Sequence, residues 1–272
     1  MNAMMPERGP AHLHAAGMRD VDDVSELSLE TFGEKDGANR LEVAHSVANW
    51  RERRSPRIVA RGDDGHFMGY AIVNPNRGGD FWRTDGQVAI LTHVAVAAEF
   101  QGDGVGSALL ERAVRTARML GWARLMAQIP SGLVSWYRSR GWIVQPEREL
   151  LAWVEPWVES DDHWHPELPS RAFSPVLYLE HCDDYPHVAT LQLREEPPIL
   201  EVSFPAGRDS ETTEALLGQA IATALLERLS LARRLPPALV ETLAETPGLP
   251  SSCRRMLLAE LAVPAIGRNS SR

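Results

Sequence analysis

Residues 88–107, VAILTHVAVAAEFQGDGVGS, limit what this chain can fold into more than any other stretch. An apolar, β-branched run, the composition of a buried strand, leads into a turn. A loop with glycine at alternate positions follows (Gly102, Gly104, Gly106), and a long amphipathic helix starts at once, from Val105 to about Leu120. Glycine lets the backbone turn sharply and lets a ligand approach closely. The first-turn amides of a helix lack intrahelical partners and sit at the positive end of its dipole, so they favour an anion. Strand, glycine loop and helix start together predict a cradle for a pyrophosphate.

Two familiar phosphate loops do not fit. A dinucleotide loop reads G-x-G-x-x-G in a βαβ opening, and a Walker loop needs G-K-[ST]. Here the loop is Gln101-Gly102-Asp103-Gly104-Val105-Gly106, mid-chain after a hairpin. Its Q-x-x-G-x-G pattern (Gln101, Gly104, Gly106) resembles motif A of the GCN5-related N-acetyltransferases, the GNAT family. A second segment, ARLMAQIPSGLVSWYRSRGW at 123–142, reads as a buried strand, a Pro-Ser-Gly break, and a short helix that Ser131 could cap and Gly141 ends. Trp136-Tyr137-Arg138-Ser139-Arg140-Gly141-Trp142 resembles the family's motif B, with Tyr137 four residues before the glycine. The resemblance covers roughly residues 12–158 and leaves the last ~110 residues unrecognised.

A coarse reading of residues 12–158 agrees with that order. It predicts a strand near His12–Ala16, helices at Val21–Phe32 and Leu41–Trp50, and a hairpin of Arg57–Ala60 and Phe67–Val73 turned by Gly62-Asp63-Asp64-Gly65. A polar Asn74–Gly86 connection precedes the motif A unit. Strand Ala123–Ile129, the motif B helix and strands near Trp142–Val144 and Leu150–Val154 follow. The implied fold class is α+β: a mixed sheet whose central strands splay apart, with the acyl thioester in the gap.

The sequence divides near 155–170, where EPWVESDDHWHPELPSR reads as a linker. This gives a domain at 1–158, with residues 1–11 as a loose tail lacking a signal-peptide core, and an α+β extension at 159–272. Strands Val176–Leu179, Val188–Leu193 and Ile199–Phe204 read as an antiparallel meander. Helices follow at Glu214–Leu231, Pro237–Ala244 and Ser252–Leu261. The extension reads as a structural or dimerising appendage, or as a degenerate half of a second acetyltransferase-like domain. His163, His165, His181, Cys182, Asp183, Asp184 and His187 cluster there, but match no usual zinc spacing, so no metal is expected. Cys182 and Cys253 are expected to be free thiols.

Of the net charge of −9, residues 1–158 hold 20 acidic and 18 basic side chains, and the remainder 17 and 10. An acidic chain argues against nucleic-acid binding and suits a cationic, amine-bearing partner. No segment is apolar enough to span a membrane, and a cytoplasmic enzyme is expected.

The resemblance implies an N-acetyltransferase that uses acetyl-CoA as cosubstrate and acetylates an amine-bearing substrate. Backbone groups near Val94 and Val96 would pair with the pantetheine arm. Amides of Gln101, Gly102, Asp103, Gly104, Val105, Gly106 and Ser107 would hold the pyrophosphate. Tyr137 would be the general acid for the leaving thiolate. No carboxylate stands where the family often places its base, so His93 becomes the candidate base, with a structural histidine of the core as the equal alternative. A water chain, Glu30 or Glu34 are the alternatives. Asp103 departs from the basic residues common in such loops, and Arg112 with Arg138 or Arg140 could compensate at the CoA 3′-phosphate. Two other readings share the fold: transfer of a different acyl group, and a non-catalytic acetyl-CoA sensor or interaction module.

Overall fold

The computed structural model describes residues 11–49, 55–75, 88–154, 184–195, 200–205, 207, 210–227, 241, 244–245 and 251–262. Outside them lie the tail to residue 10, most of the Asn74–Gly86 connection, the 155–170 linker and the strand expected at Val176–Leu179. So do His163, His165, His181, Cys182, Asp183 and most of the helix expected at Pro237–Ala244. The chain forms two compact units. One comprises Met1–Asn76, Val88–Ala127 and Leu191–Arg194; the other comprises Arg77–Gln87, Gln128–Thr190 and Glu195–Arg272.

In the first unit, β1 (His12–Ala15), β2 (Arg57–Arg61), β3 (Phe67–Pro75), β4 (Val88–Val96) and β5 (Arg124–Ile129) lie side by side in chain order. The first four are antiparallel neighbours, whereas β5 runs parallel to β4. A parallel pair needs a crossover, and α3 (Val105–Met119) supplies it. The hairpin turn forms as expected: Gly65 has φ +82°, and its amide donates to the Gly62 carbonyl at 2.9 Å.

Helices α1 (Val21–Asp36) and α2 (Arg40–Ala48) cover one face of this sheet. Val21, Val24, Leu27, Val43 and Val47 pack there on Val59, Tyr70, Ile72 and Ala95. α1 runs four residues beyond the expected end at Phe32, with a break at Gly33 (φ +73°) that only glycine adopts readily. Asn39 starts α2 with a reciprocal cap. Its Oδ1 accepts from the amides of Leu41 and Glu42, and Glu42 Oε2 accepts from the Asn39 amide. α3 lies on β2, β3 and β4 from the opposite face through buried Val105, Leu109, Leu110, Ala113 and Ala117.

β4 holds one residue more than β3 can pair. Ile72 faces His93 and Val73 faces Leu91, so Thr92 has no partner on β3 and forms a bulge. The bulge turns His93 into the core beneath α1. Its ring stacks on Phe32 with centroids 4.3 Å apart, and Nδ1 lies 3.1 Å from the Tyr70 hydroxyl. Burial pushes His93 down to about 4, with Asp36 pulling the other way through its carbonyl and carboxylate.

A buried ion pair ties the entry of α1 to β2. Asp20, fully buried, accepts from Arg61 Nη2 at 2.8 Å, from Arg61 Nε at 3.0 Å and from the Gly17 amide at 2.8 Å. Arg61 also contacts Asp23 and donates to the Gly65 carbonyl. Burial alone would raise the Asp20 carboxyl, but the Gly17 amide and Arg61 outweigh it and hold the group below its ordinary value.

In the second unit, β6 (Ile143–Val144) pairs antiparallel with β8 (His187–Gln192), and β7 (Glu149–Val154) with β9 (Leu200–Pro205). The expected meander is therefore corrected, since β8 and β9 belong to different sheets. Each instead satisfies the open edge of a strand from before residue 158, which a local hairpin would have left unpaired. Helix α4 (Val134–Arg138) precedes β6, α5 (Ser210–Glu227) packs on β9, and α6 (Ser251–Ala262) packs on α5. Ser131 starts a 3₁₀ turn rather than capping α4, whose N-cap is Leu133 without a side-chain bond. No described helix is long and apolar enough to cross a membrane.

Two stability measurements check this account. Replacing Arg61→Met removes the nearest cation from buried Asp20, leaving His14 at 3.5 Å and Arg19 at 3.9 Å, and should cost about 3 kcal/mol in urea unfolding. Asp20→Asn in the same chain should recover part of that loss. For His93, the folded value lies below the unfolded one of about 6.5, so its contribution is present above pH 6.5 and lost as pH falls towards 4. The His93 share of that loss is about 3 kcal/mol, and a pH series of melting curves should be flatter over this window in His93→Gln.

Candidate functional site

The glycine loop is built as a helix start with nothing of its own to cap it. β4 ends at Val96, a 3₁₀ turn spans Ala98–Phe100, and α3 begins at Val105 with Gly104 as N-cap. As the N-cap, Gly104 has no side chain with which to cap the helix. Gly102 and Gly104 have φ of +91° and +84°, and a Cβ added to either would meet no atom within 4 Å. The glycines thus serve a left-handed backbone and an open surface, not close internal packing. Gln101 folds back so that Nε2 donates to the Val96 carbonyl at 3.2 Å, which pins the loop to the end of β4. That contact gives the glutamine of the motif a local physical role. Residues Gln101, Gly102, Asp103 and Gly104 are exposed, while Val105 is buried and anchors the helix. Asp103 shares this exposed loop, where its carboxylate opposes the attraction of the amides for an anion.

β4 offers a second feature. It pairs with β5 only through Val88, Ala89 and Ile90; from Leu91 to Val96 its ladder partners among the described residues are on β3 alone. The expected parting of the central strands begins there. Val94 and Val96 are half-buried along this stretch, and Ala95 between them is buried in the core. An extended arm can therefore be received along β4 as a further strand would be.

At the bulge, Thr92 is the exposed residue of β4, and its Oγ1 accepts from Asn74 Nδ2 at 2.8 Å. Asn74 Oδ1 accepts in turn from the Ser55 hydroxyl. His93 beside it is buried, at 9% exposure, with its ring neutral near pH 7. Sequence reasoning singled out His93 but passed over Ser55, Tyr70, Asn74 and Thr92. The available signal was a polar residue interrupting each of two apolar strands.

Tyr137 belongs to the second unit. It is 4% exposed, and its ring meets Trp142 and Trp136 edge-on at 5.1 and 4.9 Å. Burial pushes its phenol above the ordinary value, so it is protonated at neutral pH. Gly141 closes the motif B turn with φ +79°. Arg138 donates to the Val144 carbonyl, and Arg140 lies over the Trp136 ring at 4.1 Å. Arg112 is half-buried on α3. His187 Nδ1 lies 3.0 Å from the Gln145 carbonyl, and Asp184 is exposed.

No curated protein matches the chain. Among solved structures, yncA from Salmonella typhimurium, solved with acetyl-CoA as its cofactor, shares 18% identity over 70% of this chain and 97% of its own, with a TM-score of 0.48. An N-acetyltransferase from Staphylococcus aureus Mu50 shares 14% over 68% and 100%, at 0.46. A GNAT superfamily phosphinothricin acetyltransferase from Sinorhizobium meliloti, in complex with AcCoA, shares 18% over 74% and 91%, at 0.45. The model of the acetyltransferase (GNAT) family matches residues 21–142, from the start of α1 to the end of motif B.

Proposed function

We propose that the chain is an N-acetyltransferase that takes its acetyl group from acetyl-CoA and gives it to a primary amine. The observation that carries this reading is the start of α3 at Gly104, which has no side chain to cap it, behind Gly102, continuous with a β4 stretch that has no β5 partner beyond Ile90 among the described residues. An open, left-handed glycine pair at the start of a helix suits a pyrophosphate, so the residues present fit the group. Amides from Gln101 to Ser107 hold it, and backbone groups of Val94 and Val96 take the pantetheine arm. Acetyl-CoA supplies an acetyl group already activated as a thioester.

The chain's own groups handle the protons. Tyr137 keeps the proton on its phenol oxygen at neutral pH, the state a general acid needs before it protonates a leaving thiolate. His93 keeps its ring neutral, the state a base needs, and is assigned that role for the attacking amine. Burial makes it a weak acceptor, and Glu30 and Glu34, exposed on α1, are the other groups that can take the proton.

Isothermal calorimetry with acetyl-CoA, against CoA and NAD, tests the reading directly. Binding of acetyl-CoA followed by thiol release with an amine supports it. Binding without turnover on any amine would favour the sensor reading, and no binding by folded protein would remove both. Gly104→Glu should weaken acetyl-CoA binding by about 100-fold, near 3 kcal/mol, with the circular dichroism spectrum unchanged. Tyr137→Phe should lower kcat by about 100-fold and shift the acetyl-CoA Kd by less than about twofold. Equal turnover by the two proteins would strip Tyr137 of its role.

A further inference from the structure

Thr92 interrupts the apolar run of β4 at the bulge, exposed between buried Leu91 and buried His93. Two neighbouring side chains decide which way its proton faces. Ser55, buried just ahead of β2, donates its hydroxyl to Asn74 Oδ1. That sets the Asn74 amide with Nδ2 towards Thr92, and Nδ2 donates to Thr92 Oγ1 at 2.8 Å. A threonine hydroxyl has one proton and two acceptor lone pairs. With a lone pair engaged by Asn74, the Thr92 O–H is a donor turned away from Asn74, on an exposed side chain.

Its place along β4 gives that donor a target. Pairing with β5 ends at Ile90 among the described residues, so Thr92 stands where the open stretch of the strand begins. Val96, the last residue of β4 before the glycine loop, lies about 13 Å further on at the rise of an extended strand. On the acetyltransferase reading, a pantetheine arm anchored by its pyrophosphate at the loop runs back along this stretch. Two amide units with their methylene links give the arm the length to cover it, and the thioester end then falls at Thr92.

We propose that Thr92 is a catalytic residue of the acetyl transfer, its hydroxyl donating a hydrogen bond to the carbonyl oxygen of the acetyl thioester. The proposal rests on the acetyltransferase reading above and adds a group that neither Tyr137 nor His93 supplies. Attack by the amine lone pair forms the C–N bond and shifts the carbonyl π pair onto oxygen. Return of that pair breaks the C–S bond, and the thiolate leaves with its electrons. The amine proton goes to the base and the thiolate takes the Tyr137 proton, so Thr92 keeps its own proton throughout. A donor already turned outward meets the charge growing on oxygen without reorganising. Asn74 and Ser55 touch no reacting atom and are positioning residues.

The test reads the carbonyl itself, by isotope-edited infrared spectroscopy of acetyl-CoA labelled at its carbonyl carbon and bound to the protein. The thioester band should lie at lower frequency in the wild type than in Thr92→Val, which keeps the side chain's shape at an exposed position and removes only the donor. Thr92→Ser should keep the wild-type band. Asn74→Asp retains the Thr92 hydroxyl but offers it a carboxylate that turns its proton inward, so its band should match that of Thr92→Val. By calorimetry, the preference for acetyl-CoA over S-ethyl-CoA, which lacks the carbonyl, should fall about fivefold in Thr92→Val, with the affinity for CoA unchanged. A band and a preference that do not move in Thr92→Val, or an Asn74→Asp protein with the wild-type band, would overturn the proposal and leave the acetyltransferase reading in place. Acetyl-CoA that fails to bind folded wild-type protein would remove that reading and this one together.

Discussion

β3 and β4 run antiparallel with one residue too many on β4, and the consequences of that surplus reach well beyond the pair. In a regular strand, Leu91 and His93 would share a face. Because they pair with the adjacent residues Val73 and Ile72, they face opposite ways. His93 is thereby delivered under α1, against Phe32 and Tyr70, while Thr92 is left exposed between two buried neighbours. Just before the bulge, β4 also stops pairing with β5. One inserted residue therefore turns a side chain inward, exposes a hydroxyl and accompanies the opening of a strand edge.

The loop after β4 depends on a second economy of backbone. Its two left-handed glycines reverse the chain without adding any side chain to the surface above the α3 start. The Gln101 amide then substitutes for a ladder partner at the Val96 carbonyl. Strand end, loop and helix start are held as one piece, so the amides of the first turn are pre-oriented before any anion arrives. Preorganised donors of this kind need no reorganisation on binding.

Much of the first unit was legible in the sequence because its signals are local. The Gly62–Gly65 turn, the apolar spacing of α3 and the glycines at 102 and 104 each specify their own geometry within a few residues. The continuation of α1 from Gly33 to Asp36 was missed because a glycine after the last apolar position reads as a helix end. The bulge at Thr92 was missed because VAILTHVAV reads as an uninterrupted strand, and only the partner's register exposes the extra residue. The same holds for Ser55, Asn74 and Thr92, which lie ahead of β2, on β3 and on β4 and meet only through pairing. His93 was singled out by its titratable ring, yet its burial against Phe32 depends on a helix some sixty positions earlier in the chain. In the second unit the strands were visible and their partners were not, since β6 and β7 choose β8 and β9 over nearer segments.

Those long-range partners impose an order in time. A ribosome that has just released β7, Glu149–Val154, must synthesise roughly fifty more residues before β9 can pair with it, several seconds of elongation at ordinary rates. β6 waits nearly as long for β8. During that interval the nascent chain carries apolar strands with open edges, the situation in which intermolecular pairing competes with folding. A fragment ended at the sequence linker would keep that vulnerability permanently, since both strands would be separated from the segments that cover them.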